Sequence, residues 1–402
     1  MPWIVAGLLL ISTMINYTDR LTLSVLITDM RGHLSLSEPD YAQIVSVFLC
    51  SYAIMYAVSG YIVDRLGTRR GFALFAFGWS VSQMLHAFAR GKWSLAGCRF
   101  LLGLTEPGNF PAAVKAIREW FPEERRALGV GIFNAGSSLG AAVASPLAAF
   151  LGLRYGWRFA FVFTGALGLV WLVFWLSIYY TPARTQPEEI EQPSSPRSPW
   201  RAVAANRDCL TLMLVRFLAD PVIYFIIFWM PTYLQKERGF DLEMVGRYAW
   251  IPYVFGDIGY VFGGWLSGWL IQRGWGLAKS RKTAMAVGAF LLPAAIAAPL
   301  VPSARAAIAA TCVVVFGHAV WIANLLTLPA DLFPQRQVGT ATGFSGMAGT
   351  VGGILANLAT GYVVSHFSYS PVFAIAGLMH PLSMILVLVL LPDERFPRRT
   401  HA

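Results

Sequence analysis

Two stretches of this 402-residue chain set ionisable groups into apolar surroundings at helical spacing. In the first, Asn16, Asp19 and Arg20 fall at i, i+3 and i+4, on one side of a helix. In the second, Arg99 and Glu106 share a helical face, two turns and about 10 Å of rise apart. Ionisable side chains in a segment that crosses hydrocarbon are costly, and where they persist they line polar pathways. An arginine presents a planar fork of donors that matches a carboxylate. A buried carboxylic acid can take up and release a proton. Arg20 is therefore a candidate clasp for an anion and Asp19 a candidate proton site. The plainer account, in which Asp19 merely neutralises Arg20, stays open. Arg99 and Glu106 read as a protonation switch, the arginine pairing with the acid or releasing it. Pro107 cannot bond back to the Gly103 carbonyl, so a kink and a freed acceptor are expected there.

Other candidates are less pointed. Arg216 and Asp220 lie at i, i+4, followed by Pro221 and Tyr224, and suit a structural ion pair or a site equally. Asp257 has no basic residue nearby in the chain. Asn324, Ser345, Asn357 and His318 are placed to line a wall in the second half, although a lone apolar-span histidine is more often a packing residue. Tyr52 and Tyr56, one turn apart, serve packing or a site. Lys115 reads as a snorkelling side chain or a contact to a basic loop network. There is no metal-ligand constellation, nucleophile elbow or phosphate loop, so neither an enzyme nor a cofactor is expected.

The elements that carry these residues are membrane spans. Hydrophobic residues make up 56% of the chain and charged ones 13%, about half of what a soluble domain carries. Apolar stretches fit twelve spans, near 3–29, 40–63, 71–90, 93–118, 127–152, 157–180, 208–234, 243–271, 282–302, 306–332, 338–365 and 370–391. Residues 182–206, rich in Pro and Ser, read as a solvated linker between six-span halves at 1–181 and 207–402. With Arg20, Arg99, Lys115 and Arg216 set aside as lying inside spans, eighteen Lys and Arg fall on one side and nine on the other, which predicts both termini and the linker in the cytoplasm. The same bias accounts for the net charge of +10 without nucleic acid. The four cysteines show no CxxC spacing and suggest neither disulfides nor zinc. Met1 leads straight into apolar sequence, so a removable signal peptide is not expected. A weak internal repeat aligns Phe121-Pro122 with Phe333-Pro334, Gly131 with Gly343 and Gly140 with Gly352. Duplicated transporter halves show this kind of likeness.

The loop Gly60-Tyr-Ile-Val-Asp64-Arg65-Leu-Gly67-Thr-Arg69-Arg70 joins spans 2 and 3. Its glycines permit a tight turn and close backbone approach, and Asp64 suits a helix N-terminus or a basic side chain. This loop resembles the signature of the major facilitator superfamily, which implies an all-α fold of twelve transmembrane helices in two pseudo-symmetric halves. The related stretch of the second half, Gly264-Trp-Leu-Ser-Gly268, has glycine where the acid falls, so an asymmetric lock is expected.

Further stretches resemble the anion–cation symporter branch of that superfamily. They are Asn16-Tyr17-Thr-Asp19-Arg20, Gly103-Leu-Thr-Glu106-Pro-Gly-Asn-Phe-Pro111, Glu119-Trp-Phe-Pro122 and Phe133-Asn-Ala-Gly-Ser137-Ser. Within the branch, Arg216-Phe-Leu-Ala-Asp220-Pro, Trp250-Ile-Pro and Asp257-Ile-Gly look most like hexuronate transporters. The resemblance implies that Tyr17, Arg20 and Tyr52 contact a sugar acid, with Asn324 and Ser345 as second-half candidates. It implies that Asp19 and Glu106 carry protons, with Arg99 as partner of Glu106. Aldonate symporters have amides where Ser137 and, nearby, Ser345 stand, which argues against galactonate here. The expectation is a monomeric, proton-coupled importer of galacturonate or glucuronate in a bacterial inner membrane, with protons as coupling ion. An aldonate or small monocarboxylate symporter and a non-transporting sugar-acid sensor are the alternatives.

Overall fold

The computed structural model describes residues 1–182, 200–240, 244, 248 and 250–397. Most of the expected linker, with Arg184 and Arg197, lies outside the described residues, as do Arg247, Arg398 and Arg399. Among the described residues there is no strand. The first half of the chain forms α1 (Pro2–Leu34), α2 (Glu38–Leu66), α3 (Thr68–Leu85), α4 (Lys92–Thr105), α5 (Asn109–Trp120), α6 (Glu123–Tyr155) and α7 (Trp157–Ile178). The short α8 (Trp200–Ala204) precedes α9 (Arg207–Arg238), α10 (Ile251–Gln272), α11 (Leu277–Leu291) and α12 (Ala294–Ala297). The chain continues with α13 (Ala304–Leu325), α14 (Leu328–Leu332), α15 (Val338–His366) and α16 (Ser370–Leu390). With α4–α5, α11–α12 and α13–α14 each forming one interrupted span and α8 standing apart, the described helices make the twelve spans that hydropathy predicts. Seven of the described helices are long and apolar enough to cross a membrane on those grounds alone. The chain is a multi-pass membrane protein.

Local chemistry sets the boundaries. The Ser37 hydroxyl accepts from the Asp40 amide at 3.2 Å, and the Asp40 carboxylate accepts from the Ser37 amide at 3.0 Å, a reciprocal cap that starts α2. The α2–α3 turn needs Gly67, whose φ of 77° is disfavoured for any side chain. The interruption expected at Pro107 is present, since Glu106–Gly108 form a 3₁₀ turn between α4 and α5.

By their contacts the residues fall into two compact units. One comprises Met1–Phe121, Leu139–Cys209 and Phe333–Phe344; the other comprises Pro122–Ser138, Leu210–Leu332 and Ser345–Ala402. The first is cored by Leu23, Ile27, Leu95, Leu151 and Phe161, with a ring cluster of Phe72, Trp79, Trp171 and Trp175. The second is cored by Phe225, Tyr233, Val314, Val315 and Phe373.

The internal repeat is visible in the backbone packing. A methyl group on Gly131 would stand 2.3 Å from the Tyr260 carbonyl oxygen, and one on Gly343 would stand 2.5 Å from that of Tyr56. Gly140 meets the Met14 carbonyl as Gly352 meets that of Phe217. The register also holds in α4 and α13, where Gly103 packs on Tyr52 as Val315 packs on Gly256. Thr105 lies against Gly78 as Gly317 lies against Gly288. Glycines at matched positions let helices approach at matched places, which is why so sparse a sequence likeness carries a structural repeat.

Candidate functional site

The charged residues of α1 and α4 meet within the first unit. The Arg20 Nε donates to Glu106 Oε2 at 3.0 Å, and its Nη2 lies 2.9 Å from the same oxygen. Glu106 is fully buried, and its Oε1 has no hydrogen-bond partner. The Arg20 guanidinium lies 4.9 Å from the Tyr17 ring centre, 4.6 Å from that of Tyr52 and 5.5 Å from that of Phe48. Aromatic faces attract a cation, and the Tyr52 hydroxyl also accepts from the Arg20 guanidinium.

The expected pairing of Arg99 with Glu106 is made by Arg20 instead. Arg99 donates from Nη1 and Nη2, each at 3.3 Å, to the backbone carbonyl of Arg20. Two turns of α4 separate Arg99 from Glu106, and the chain breaks into a 3₁₀ turn at the acid, so the facing helix supplies the nearer guanidinium. Arg99 nonetheless holds α1 in place at the residue that carries the pair.

Asp19 is fully buried, and neither carboxyl oxygen has a hydrogen-bond partner. The Thr164 hydroxyl lies close enough to interact with it and receives the Gln83 amide at 2.9 Å. Gln83 also donates to the Asp19 carbonyl at 3.2 Å. Asn16 is equally buried, with both amide atoms unpartnered. Asp19 and Arg20 thus do not neutralise each other. An unpaired carboxylate in such surroundings is expensive, whereas a carboxylic acid is tolerated.

Two residues of this cluster escape a reading of charges alone. Phe48 lies under both Arg20 and Arg99, 5.7 Å from the latter. Its signal is the stripe Phe48, Tyr52, Tyr56, whose successive rings lie 5.6 and 5.5 Å apart along α2. Asn109, just past the break, donates to Thr13 at 3.0 Å and accepts from Ser12 at 3.0 Å, tying α5 to α1.

The second unit arranges its candidates differently. Arg216 reaches Asp220 Oδ2 from Nη2 at 2.6 Å and from Nε at 3.0 Å, a buried pair within α9. Asp257 interacts with Ser138 of α6. Asn324 is fully buried and donates to the Gly263 and Val320 carbonyls at 3.0 Å each. Asn357 accepts from the Trp229 indole at 2.7 Å. Ser345 is buried on α15. Among the described residues no three His, Cys, Asp or Glu are grouped to hold a metal ion.

The signature loop makes a latch within the first unit. Asp64 accepts from Lys115 Nζ at 2.7 Å, from the Gly339 amide at 3.1 Å, and from the Thr340 amide and hydroxyl at 2.6 Å each. These amides open α15, where the helix dipole favours a negative charge. A methyl group on Gly60 would stand 2.0 Å from the Gly339 carbonyl oxygen, so the motif glycine lets the two backbones touch. Arg69 donates to the Leu176 carbonyl at 2.5 Å, and Arg65 stacks over Tyr61.

Comparison with known proteins places this geometry in a family. The model of the Major Facilitator Superfamily matches residues 9–357 and 258–402. The chain is 31% identical over 409 residues to the hexuronate transporter of Escherichia coli K12, covering 98% of this chain and 94% of the relative. It is 34% identical over 307 residues to the galacturonate transporter of Dickeya chrysanthemi, covering 72% of this chain and 88% of the relative. Among solved structures, the proton:xylose symporter XylE superposes with a TM-score of 0.76 at 16% identity, over 97% of this chain and 96% of that one. The family model matched along most of the chain, and a transporter 31% identical over 98% of it, identify this chain as a member of the Major Facilitator Superfamily, a transporter and not an enzyme.

Proposed function

We propose that this chain is a proton-coupled symporter that imports a hexuronate, galacturonate or glucuronate, by alternating access. In this reading it resides in a bacterial cytoplasmic membrane as a monomer with both termini in the cytoplasm. Its halves are residues 1–181 and 207–402, joined by the linker 182–206. The observation that carries the proposal is the Arg20–Glu106 pair, set among Tyr17, Phe48 and Tyr52. A proton on Glu106 removes the negative charge that occupies Arg20. The guanidinium then turns its paired donors to the sugar carboxylate, in a cleft whose aromatic walls stack on the ring's apolar face. Loss of that proton restores the competing carboxylate and ejects the substrate. Substrate and proton thus share one arginine, and that sharing is the coupling. Asp19, fully buried beside the Thr164 hydroxyl, supplies a second protonatable acid on α1. The names of two relatives, a hexuronate and a galacturonate transporter, support a hexuronate.

The test is galacturonate uptake into proteoliposomes under an imposed pH gradient. Wild-type protein is expected to accumulate substrate. Glu106→Gln and Asp19→Asn are expected to retain exchange and lose gradient-driven accumulation. Unchanged accumulation by both variants would defeat the coupling assignment. Stronger competition by galactonate or lactate than by galacturonate would move the substrate to an aldonate or a monocarboxylate.

A further inference from the structure

The register that aligns Phe121 with Phe333 and Gly131 with Gly343 also aligns Glu106 with His318. The packing brackets this match from one side through Gly103 and Val315, then Thr105 and Gly317, and the Phe-Pro pairs bracket it from the other. A titratable side chain therefore occupies the same place in both repeats. In the second, His318 Nδ1 lies 3.0 Å from His380 Nε2, so the two rings share one hydrogen. Both rings are buried, and His380 Nδ1 has no partner. Two neutral histidines held this way in an apolar core, one ring nitrogen unpartnered, cost more than aromatic residues of similar size.

We propose that the His318–His380 pair is a proton-binding site of the second repeat, holding one exchangeable proton at the place that Glu106 occupies in the first. The proposal rests on the proton-coupled reading above and extends it to residues that reading does not use. In the tautomer in which His380 Nε2–H donates to His318 Nδ1, His380 Nδ1 carries an unengaged lone pair. A proton added there leaves the shared hydrogen bond intact and makes it charge-assisted, which strengthens it.

Most of the charges on the surrounding helices are paired. From α9, the positive charge of Arg216 opposes a proton on His318, and Asp220, 2.6 Å from that guanidinium, partly offsets it. From α10, Asp257 interacts with Ser138. From α11, Arg281 and Lys282 are engaged by Asp331 and Asp393. α16 contributes His380 itself, whose ring also meets Trp321 edge-on at 5.3 Å. Ser383, one turn along α16, and the Trp321 indole nitrogen are buried without partners, so polar atoms continue beyond the pair.

Two measurements test the proposal. The first uses the full-length protein in nanodiscs, labelled with ¹⁵N-histidine and free of substrate. An N–H···N coupling across the ring pair identifies it without any substitution. The expected result is a single protonation of the coupled pair between about pH 5 and 8, the range in which histidines serve as switches. An unchanged neutral pair across that range would overturn the proposal. The second measures the reversal potential of galacturonate-coupled current for His318→Gln and His380→Gln. Each variant is expected to lower the proton-to-substrate ratio by about one while substrate exchange stays within about threefold of wild type. A wild-type ratio in both folded variants would also overturn it. Proton-independent transport by the wild type would instead overturn the symporter reading, and the nanodisc titration would still decide whether the pair binds a proton.

Discussion

The two repeats keep one backbone register and place different chemistry on it. In the first, a carboxylate buried at the break of its span meets an arginine from α1 across the helix interface. In the second, the matched position is His318, paired with α16, and the arginine–carboxylate pair lies within α9 alone. A pair between helices is made or broken when the helices shift. A pair within one helix moves with that helix. The difference teaches that duplication preserved the places where helices touch, through glycines, while the ionisable groups were free to divide their tasks.

The latches diverge in the same way. Asp64 of the first repeat caps α15, whereas Gly268 stands at the related place in the second repeat and lies against the Glu124 carbonyl. A methyl group there would stand 2.2 Å from that oxygen, so no side chain fits. The second repeat instead uses Asp331, which accepts from Arg126 at 3.0 Å and from Arg281 at 2.8 Å, all fully or nearly fully buried. Arg281 also donates to Ser267 and to the Glu123 carbonyl. The repeat register matches Asp331 with Glu119, which accepts from Thr68, Gln335 and the Tyr179 hydroxyl. An asymmetric lock was expected from Gly268, but its replacement by a three-member charge network was not.

The largest expected effect separates the two arginines. Arg20→Ala should abolish galacturonate binding, a loss of at least about 100-fold by thermal shift, because a desolvated charge partner is removed. Arg20→Lys keeps the charge but loses the fork and should recover only part of the affinity. Arg216→Ala should leave binding within about threefold while lowering stability by about 3–5 kcal/mol, because Asp220 remains buried without its partner. Equal loss of binding in both variants would erase the functional distinction between the repeats.

That distinction was only partly legible in the residues. The twelve spans follow from hydropathy, and the pair Arg216–Asp220 follows from i, i+4 spacing, because both are local properties. The partner of Glu106 is not local. Helical spacing pointed to Arg99 on its own helix, but the selection falls to the facing helix, and only packing decides that. His318 read as a packing residue because its partner lies on a different span and no spacing rule links them. Asn324 divides its amide: Nδ2 donates to the Gly263 and Val320 carbonyls inside the helix packing, while Oδ1 is buried without a partner.

The next effect compares the latches. Asp331→Asn leaves Arg126 and Arg281 sharing a neutral acceptor in a buried site and should lower stability by about 3–5 kcal/mol. Asp64→Asn keeps a side-chain oxygen for one set of donors at the start of α15, and Lys115 is its single cationic partner among the contacts described. Its loss should be about half as large, read as the midpoint of thermal unfolding in detergent. The opposite order would mean that the helix N-terminus, and not the arginine pair, contributes the stronger lock.

The smallest effect isolates one donor of the first latch. Thr340→Val removes the hydroxyl that reaches Asp64 at 2.6 Å but leaves the amides of Gly339 and Thr340 and the Lys115 ammonium in place. A carboxylate with three remaining donors loses little, so about 1 kcal/mol of stability is expected. Valine matches threonine in shape, which keeps the packing constant and leaves the hydrogen bond as the variable. If Thr340→Val instead equals Asp64→Asn, the hydroxyl organises the other donors, and the latch behaves as one cooperative unit. A double substitution with Asp64→Asn distinguishes these outcomes, since independent donors add their effects and a cooperative unit does not.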